Sequence, residues 1–148
     1  MNRVVKGLFR AGNKLATTLY RRTGGKVGGK GRGGTPVLLL TVAGRRSGLP
    51  RTAPIGYFEH EGGWLVVGSA GGLPQDPEWF KNLRRAEWAD VEVGRVRRRV
   101  TIRELTGEER DRAWRDVVVA QNPAYAPYEK KTSRTIPLAL LTPVTATE

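Results

Sequence analysis

The longest apolar stretch of this chain, Val37 to Ala43, spans seven residues, and turns carrying Gly or Pro interrupt the sequence repeatedly after it. That is about a third of the ~20 residues a membrane-spanning helix needs, and it suits a buried β-strand. Nineteen Gly and nine Pro in 148 residues favour short elements joined by many turns. A chain of this length forms one domain with a real core.

The turn from Gly44 to Pro50 leads to a second strand over about Arg51–Glu59, and Glu61-Gly62-Gly63 to a third over Trp64–Ser69. Gly71, Gly72 and Pro74 end that strand. Asp76 is placed to cap a short helix with Pro77 at its first position, running to about Arg85. Trp88–Val93 and Val96–Glu104 read as a hairpin about Gly94-Arg95, with Val96, Val100 and Ile102 on one face. Thr106 and Glu109 have the spacing of a capping box, opening a helix to about Ala120. Asn122 to Lys131 is a loop or short helix. Thr135–Pro143 is a last strand in which Pro137 marks an edge or bulge. Six strands and few helices predict a mainly β fold: a closed or partly split six-stranded barrel with peripheral helices.

Residues 1–22 predict an amphipathic helix. Val4, Val5, Leu8, Phe9, Leu15 and Leu19 recur at helical spacing, with Arg3, Lys6, Arg10, Lys14, Arg21 and Arg22 around them. Such a helix docks on its own barrel or lies on an anionic membrane. Residues 23–35 follow as a linker or basic loop, with seven Gly and three basic residues between Thr23 and Gly34. They lack the Lys-Ser/Thr ending of a Walker A loop. Residues 36–148 are left as the barrel domain.

The formal net charge is +12, and all of it belongs to the first part of the chain. Residues 1–58 hold twelve Lys and Arg and no acid; residues 59–148 hold fourteen of each sign. Such segregation points to a polyanionic partner: nucleic acid, acidic lipid or a phosphorylated cofactor. The chain has no cysteine, which excludes disulfides, thiolate chemistry and Cys-ligated metal. A lone histidine, His60, argues against a His-cluster metal site and a Ser-His-Asp triad. Chemistry must then come mainly from a bound cofactor. No secretory signal is read at the N-terminus, so the expectation is a cytoplasmic protein, soluble or at most peripheral to a membrane.

The strongest local signal is Gly44-Arg45-Arg46-Ser47-Gly48-Leu49-Pro50-Arg51. A glycine-flanked turn after a buried strand leaves backbone N–H groups free to converge on an anion. Arg45, Arg46 and Arg51 add guanidinium forks and Ser47 a hydroxyl, all suited to phosphate. Taken alone, the motif is equally well read as a basic hairpin turn.

The wider constellation is more specific. Thr41 to Gly44, the arginine turn, Gly68-Ser69-Ala70-Gly71-Gly72, Pro77 to Asn82 and Arg134 to Pro137 occur in this order. Together they resemble the deazaflavin (coenzyme F420)-dependent nitroreductase and quinone reductase family of actinobacteria, from about residue 33 to residue 143. The resemblance implies a split β-barrel of the flavin-nucleotide-binding kind. Its activity would be hydride transfer from reduced coenzyme F420 to quinones, nitroaromatics or similar electron-poor acceptors. It implies that Leu39, Leu40 and Thr41 line the cofactor, and that Arg45, Arg46, Ser47, Gly48, Leu49, Pro50 and Arg51 hold its phosphate and acidic tail. Val67, Gly68, Ser69 and Ala70 would lie along the ring system, with Glu78, Trp79, Phe80, Lys81 and Asn82 closing the site. Tyr125 would stand by the cofactor and Tyr128 in the substrate pocket, and Ser69, Tyr125 and Tyr128 are the catalytic candidates. Two residues depart from the pattern. Ala70 stands where the family usually has lysine, and Asn122 stands where quinone- and nitro-reducing relatives often have tyrosine. The second departure implies a wider, more polar acceptor pocket.

No metal is expected. The alternative class is a basic small barrel that binds nucleic acid, but the strands lack a regular aromatic stacking platform. Expected partners are therefore a small-molecule acceptor, an anionic membrane touched through residues 1–22, and a second copy of the chain.

Overall fold

β1 (Val37–Ala43) is buried along nearly its whole length, which is why its sequence is a continuous apolar run and not an alternating one. It pairs on one side with β2 (Pro50–His60) and on the other with β4 (Trp88–Val93). β3 (Gly63–Val67), β6 (Leu138–Pro143) and β5 (Val96–Leu105) complete a closed antiparallel ring in the order β1-β2-β3-β6-β5-β4. These positions come from a computed structural model that describes residues 3–144. Met1, Asn2, residues 145–148 and the side chains of Arg3, Val5, Lys6, Phe9 and Arg32 lie outside the described residues.

Alternate side chains of β1 divide between two layers. Leu38, Leu40 and Val42 point into the barrel, where they meet Ile55, Val66, Val91, Val100 and Leu141. Leu39 and Val37 point outward and pack with Tyr20 of α1 (Arg3–Thr23). A third group covers the outer face of β3 and β6. There Leu65, Val67, Leu138 and Leu140 meet Trp114, Val118 and Tyr128. Those three come from the helical turns after α3 (Gly107–Ala113) and from α4 (Ala126–Lys131). The helix beginning at α3 continues as a π turn over Trp114–Val119.

The barrel opens where β2 and β3 part. Their ladder runs from His60↔Gly63 to Tyr57↔Val66 and stops, whereas β2 continues to Pro50 beside β1. Tyr57 donates its N–H to the Pro36 carbonyl on the β1 side. Strand alternation therefore turns positions 56, 54, 52 and 50 toward the side that β3 has left. Pro54 and Pro50 fall on that side, where a missing N–H interrupts no ladder.

α1 docks through its last turns. The buried Tyr20 hydroxyl donates to the Val37 carbonyl at 2.9 Å and accepts the Gly94 N–H at 2.9 Å. Arg21 grips Glu92 through Nε at 3.0 Å and Nη2 at 2.7 Å. The apolar face read from the sequence is not what docks: Val4, Leu8 and Leu15 stay 72%, 68% and 63% exposed. The glycine-rich segment returns to the barrel through the Val37 N–H, which donates to the Gly29 carbonyl.

Several local expectations are corrected. The third strand ends at Val67, not Ser69, because Ser69 to Gly72 turn into a short 3-10 helix. The last strand begins at Leu138, not Thr135. Asp76 does not cap α2 (Glu78–Arg85); Pro77 occupies the cap, and the Asp76 carboxylate pairs with Arg84 and Arg134. Thr106 makes no side-chain cap, and Glu109 pairs with Arg103 instead of closing a capping box. Val96 is exposed and does not share the buried face of Val100. The arginines of β5 are balanced largely from β4: Asp90 binds both Arg97 and Arg99, while the helix supplies Glu109.

Candidate functional site

The free half of β2 and the segment after β3 bound the opening of the barrel, a groove defined by where the β2–β3 ladder stops. One end is the arginine turn. Gly44 N–H donates to Leu49 O, and Gly48 N–H to Gly44 O, both at 2.8 Å. The turn needs Gly48 at φ +73°, a left-handed conformation that side chains disfavour. Ser47 Oγ accepts the Leu49 N–H at 3.2 Å, so the hydroxyl read as a phosphate ligand also braces its own turn.

The three arginines divide into two roles. Arg45 is tied down: its Nη1 donates to Asn82 Oδ1 at 2.8 Å, and its Nη2 lies 2.7 Å from Glu78 Oε2. Arg46 and Arg51 are exposed, and among the described residues no carboxylate pairs with either. Two unpaired guanidinium groups at the mouth of a groove attract a multiply charged anion.

Along the groove, Gly68 is packed so closely that a Cβ would stand 2.8 Å from Pro137 Cγ and 2.9 Å from Phe80 Cδ2. Its N–H donates to Pro137 O at 2.9 Å. Ala70 follows in a left-handed conformation, φ +47°. Arg134, absent from the sequence-derived site residues, holds this segment through the carbonyls of Gly68, Ser69 and Leu73. The Arg134 to Pro137 motif was visible in the sequence; its fork reaching back across 61–66 residues was not.

Gly72 continues the wall to α4, where its Cβ would meet Lys131 Cβ at 2.8 Å and Tyr128 O at 3.3 Å. Tyr128 is buried, and its ring meets that of Tyr125 edge-on at 5.6 Å. Tyr125 also meets Phe58 at 5.6 Å, and its hydroxyl stands against Gly56. Burial pushes the Tyr125 phenol up; Tyr128 adds to the rise and a hydrogen bond with Thr35 opposes it. Gly56 follows Arg51 by five positions along β2, about 17 Å at strand rise. Along this edge of β2, exposed cationic side chains stand at one end and the Tyr125 hydroxyl at the other.

The remaining predicted residues divide between the core, the turn and the surface. Leu39, Leu40, Val67 and Phe80 are core side chains, so a ligand would meet their backbone or nothing of them. Thr41 Oγ1 shares a 2.7 Å hydrogen bond with Thr52 Oγ1. Leu49 and Pro50 are exposed at the turn, and Lys81 Nζ donates to Gln75 Oε1 at 2.9 Å. Trp79 packs partly against the barrel core beside Phe80. A separate cleft of about 290 Å³ lies at the Tyr57–Glu59 end of β2, bordered by Thr35, Phe58 and Asn122. Thr35 and Phe58 belong both to that cleft and to the surroundings of Tyr125. Asn122 was read as opening the pocket. It is buried, donating from Nδ2 to the Thr35 hydroxyl while its Oδ1 accepts the Ala124 N–H.

The family model described as F420H(2)-dependent quinone reductase matches residues 13–143. The chain belongs to the F420H(2)-dependent quinone reductase family. An F420H(2)-dependent quinone reductase of Mycobacterium tuberculosis is 34% identical over 131 residues, covering 87% of this chain and 88% of the relative. A solved F420H2-dependent reductase superposes with a TM-score of 0.64 at 36% identity, over 72% of this chain and 93% of its own. A solved domain-swapped dimer gives a TM-score of 0.66 at 31% identity, over 86% and 94%. Membership identifies the chain as an oxidoreductase of the split-barrel fold with coenzyme F420 as cofactor, and it decides against the nucleic-acid-binding alternative. The donor set suits that phosphorylated, acidic molecule: Arg46 and Arg51 lack carboxylate partners among the described residues, and the glycine turn beside them is open. No described helix is long and apolar enough to cross a membrane.

Proposed function

We propose that this chain reduces quinones, with the coenzyme lying along the groove from the arginine turn to Tyr125. The observation that carries the reading is the polarity of the groove: unpaired Arg46 and Arg51 at one end, Tyr125 and Tyr128 at the other. When bound, reduced F420 supplies the hydride; the quinone gains that hydride and one proton to become a quinol. The protein's part is orientation and electrostatics. Arg46, Arg51 and the turn Ser47 to Pro50 hold the phosphate and tail, while Arg45, fixed by Asn82 and Glu78, sets the turn. The Gly68 to Ala70 backbone lies beside the ring. Tyr125 and Tyr128 shape the acceptor side, and with Ser69 they are the candidates to donate to the acceptor oxygen.

Residues 1–22 form an element of their own, joined to the barrel domain by residues 23–35 and anchored on it through Tyr20 and Arg21. The exposed Val4, Leu8 and Leu15, with Arg10 and Lys14 on the same acid-free helix, fit the cytoplasmic face of an anionic bilayer. A homodimer is the other expected assembly, by likeness to the domain-swapped relative.

The test is anaerobic oxidation of reduced F420 by a quinone panel, with titrations of F420 and flavin mononucleotide. Quinone-dependent turnover and preference for F420 are expected. Equal binding of flavin mononucleotide, or no turnover with any quinone, overturns the reading. Sedimentation with anionic vesicles checks the helix, and light scattering checks the dimer.

A further inference from the structure

We propose that Arg134, with Asp76 beside it, is a positioning residue that presets the Gly68–Leu73 wall of the groove for the coenzyme. The proposal rests on assigning that groove to F420. Each nitrogen of the guanidinium is committed. Nε donates to Leu73 O at 2.9 Å, Nη1 to Gly68 O at 3.1 Å, and Nη2 to Ser69 O at 2.7 Å. Nη1 also lies 2.8 Å from Asp76 Oδ1, and the Arg134 side chain is 15% exposed. Asp76 in turn pairs with Arg84 of α2 at 3.0 Å, and Arg84 with Glu104 of β5 at 2.8 Å. The wall is thereby fastened to α2 and to β5.

Three carbonyls turned toward one side chain need three separate donors to satisfy them. A planar fork with five donors does this in a fixed geometry, which a lysine ammonium on a flexible stem does not reproduce. In a planar trans peptide the N–H points opposite to the C=O. Holding the carbonyls of Gly68 and Ser69 therefore turns the N–H groups of Ser69 and Ala70 away from Arg134. Among the described residues neither N–H has an acceptor. Ala70 is meanwhile kept at φ +47°, a conformation that a residue with a Cβ adopts under constraint. The segment is braced from its other side as well, since Gly68 N–H donates to Pro137 O three residues beyond Arg134. One short stretch of chain thus grips the wall through a side chain and a carbonyl. Arg134 acts through the backbone it holds.

The experiment compares Arg134→Lys and Arg134→Gln with Tyr20→Phe. Tyr20 is also buried and its hydroxyl also binds a carbonyl, that of Val37, with no partner in residues 68–73 or 134–137. The readouts are melting temperature, F420 affinity by fluorescence, and the amide resonances of Ser69, Ala70 and Gly71 in free and F420-titrated protein. Both Arg134 variants are expected to shift those amides before F420 is added and to weaken F420 binding at least tenfold. Tyr20→Phe is expected to lower the melting temperature and leave affinity within twofold. Arg134→Lys with wild-type affinity and unmoved free-state amides overturns the role of Arg134 while leaving the groove intact. Equal affinity loss in Tyr20→Phe also overturns it, because the effect is then general destabilisation. Wild-type Ser69 to Gly71 amides that ignore F420 reject the groove assignment, and the proposal with it.

Discussion

Asn82 Oδ1 accepts from both ends of Arg45: from the backbone N–H at 3.1 Å and from Nη1 at 2.8 Å. One buried amide oxygen thus fixes where the arginine turn begins and where its first side chain lies. Arg45→Ala and Asn82→Ala should each weaken F420 binding by about 1–3 kcal/mol, the range for hydrogen bonds to a charged group. Because they share the Nη1–Oδ1 contact, the double variant should cost less than the sum of the two. Arg51→Ala should add its loss in full to both. Full additivity of Arg45 and Asn82 in fluorescence titration would uncouple them.

Arg46 and Arg51 face water, so their pull on an acidic tail is open to screening. The Debye length falls from about 10 Å at 0.1 M salt to about 3 Å at 1 M. Affinity for F420 with a long glutamate tail should drop across that range, and less so for a short tail. Replacing both arginines with Ala should flatten the dependence. An unchanged salt slope in the double variant would move the tail elsewhere.

Tyr125→Phe and Tyr128→Phe keep the edge-on ring contacts and remove the hydroxyls. Turnover of a quinone should fall several-fold with F420 affinity unchanged, the signature of an interaction used in the reaction and not in binding. Lost cofactor affinity would place the rings on the wrong side of the coenzyme.

The raised Tyr125 phenol carries a stability consequence of fixed sign. Burial favours its protonated form in the fold, so this contribution is complete below the ordinary tyrosine value of about 10 and is lost as pH climbs through the higher folded value. Wild type should lose melting temperature more steeply than Tyr125→Phe above pH 10, with parallel curves below pH 9. Parallel curves throughout would contradict the burial of this hydroxyl.

Asn122 joins the turn before Tyr125 to Thr35, with both ends of its amide in use. Asn122→Ala should destabilise by about 1–3 kcal/mol in urea titration, since it leaves the Ala124 N–H without its acceptor and takes one donor from the Thr35 hydroxyl. Loss of less than 0.5 kcal/mol, about the effect of an ordinary surface change, would make the bridge incidental.

Much of the barrel was legible because its strands are short apolar runs between glycine turns: β1, the β4–β5 hairpin and α2 lie within a few residues of their predicted spans. The caps at Asp76 and Thr106 were misread for a shared reason. Local spacing proposed a backbone partner, and a distant arginine offered the carboxylate a stronger one. The groove itself needed the register. Pro54 lies inside the predicted second strand, and which neighbour is missing beside it follows only from where the Tyr57↔Val66 pairing stops. Asn122 looked like a gap in a row of tyrosines; its contact with Thr35 spans 87 residues that no local pattern connects.

A strand edge with free donors and acceptors is a template for the backbone of another chain, and β2 presents such an edge before coenzyme binds. Pro50 and Pro54 delete two of the donors an incoming strand would use, leaving Thr52 alone between them. The mouth of the barrel can then stay open to a small molecule without inviting edge-to-edge aggregation.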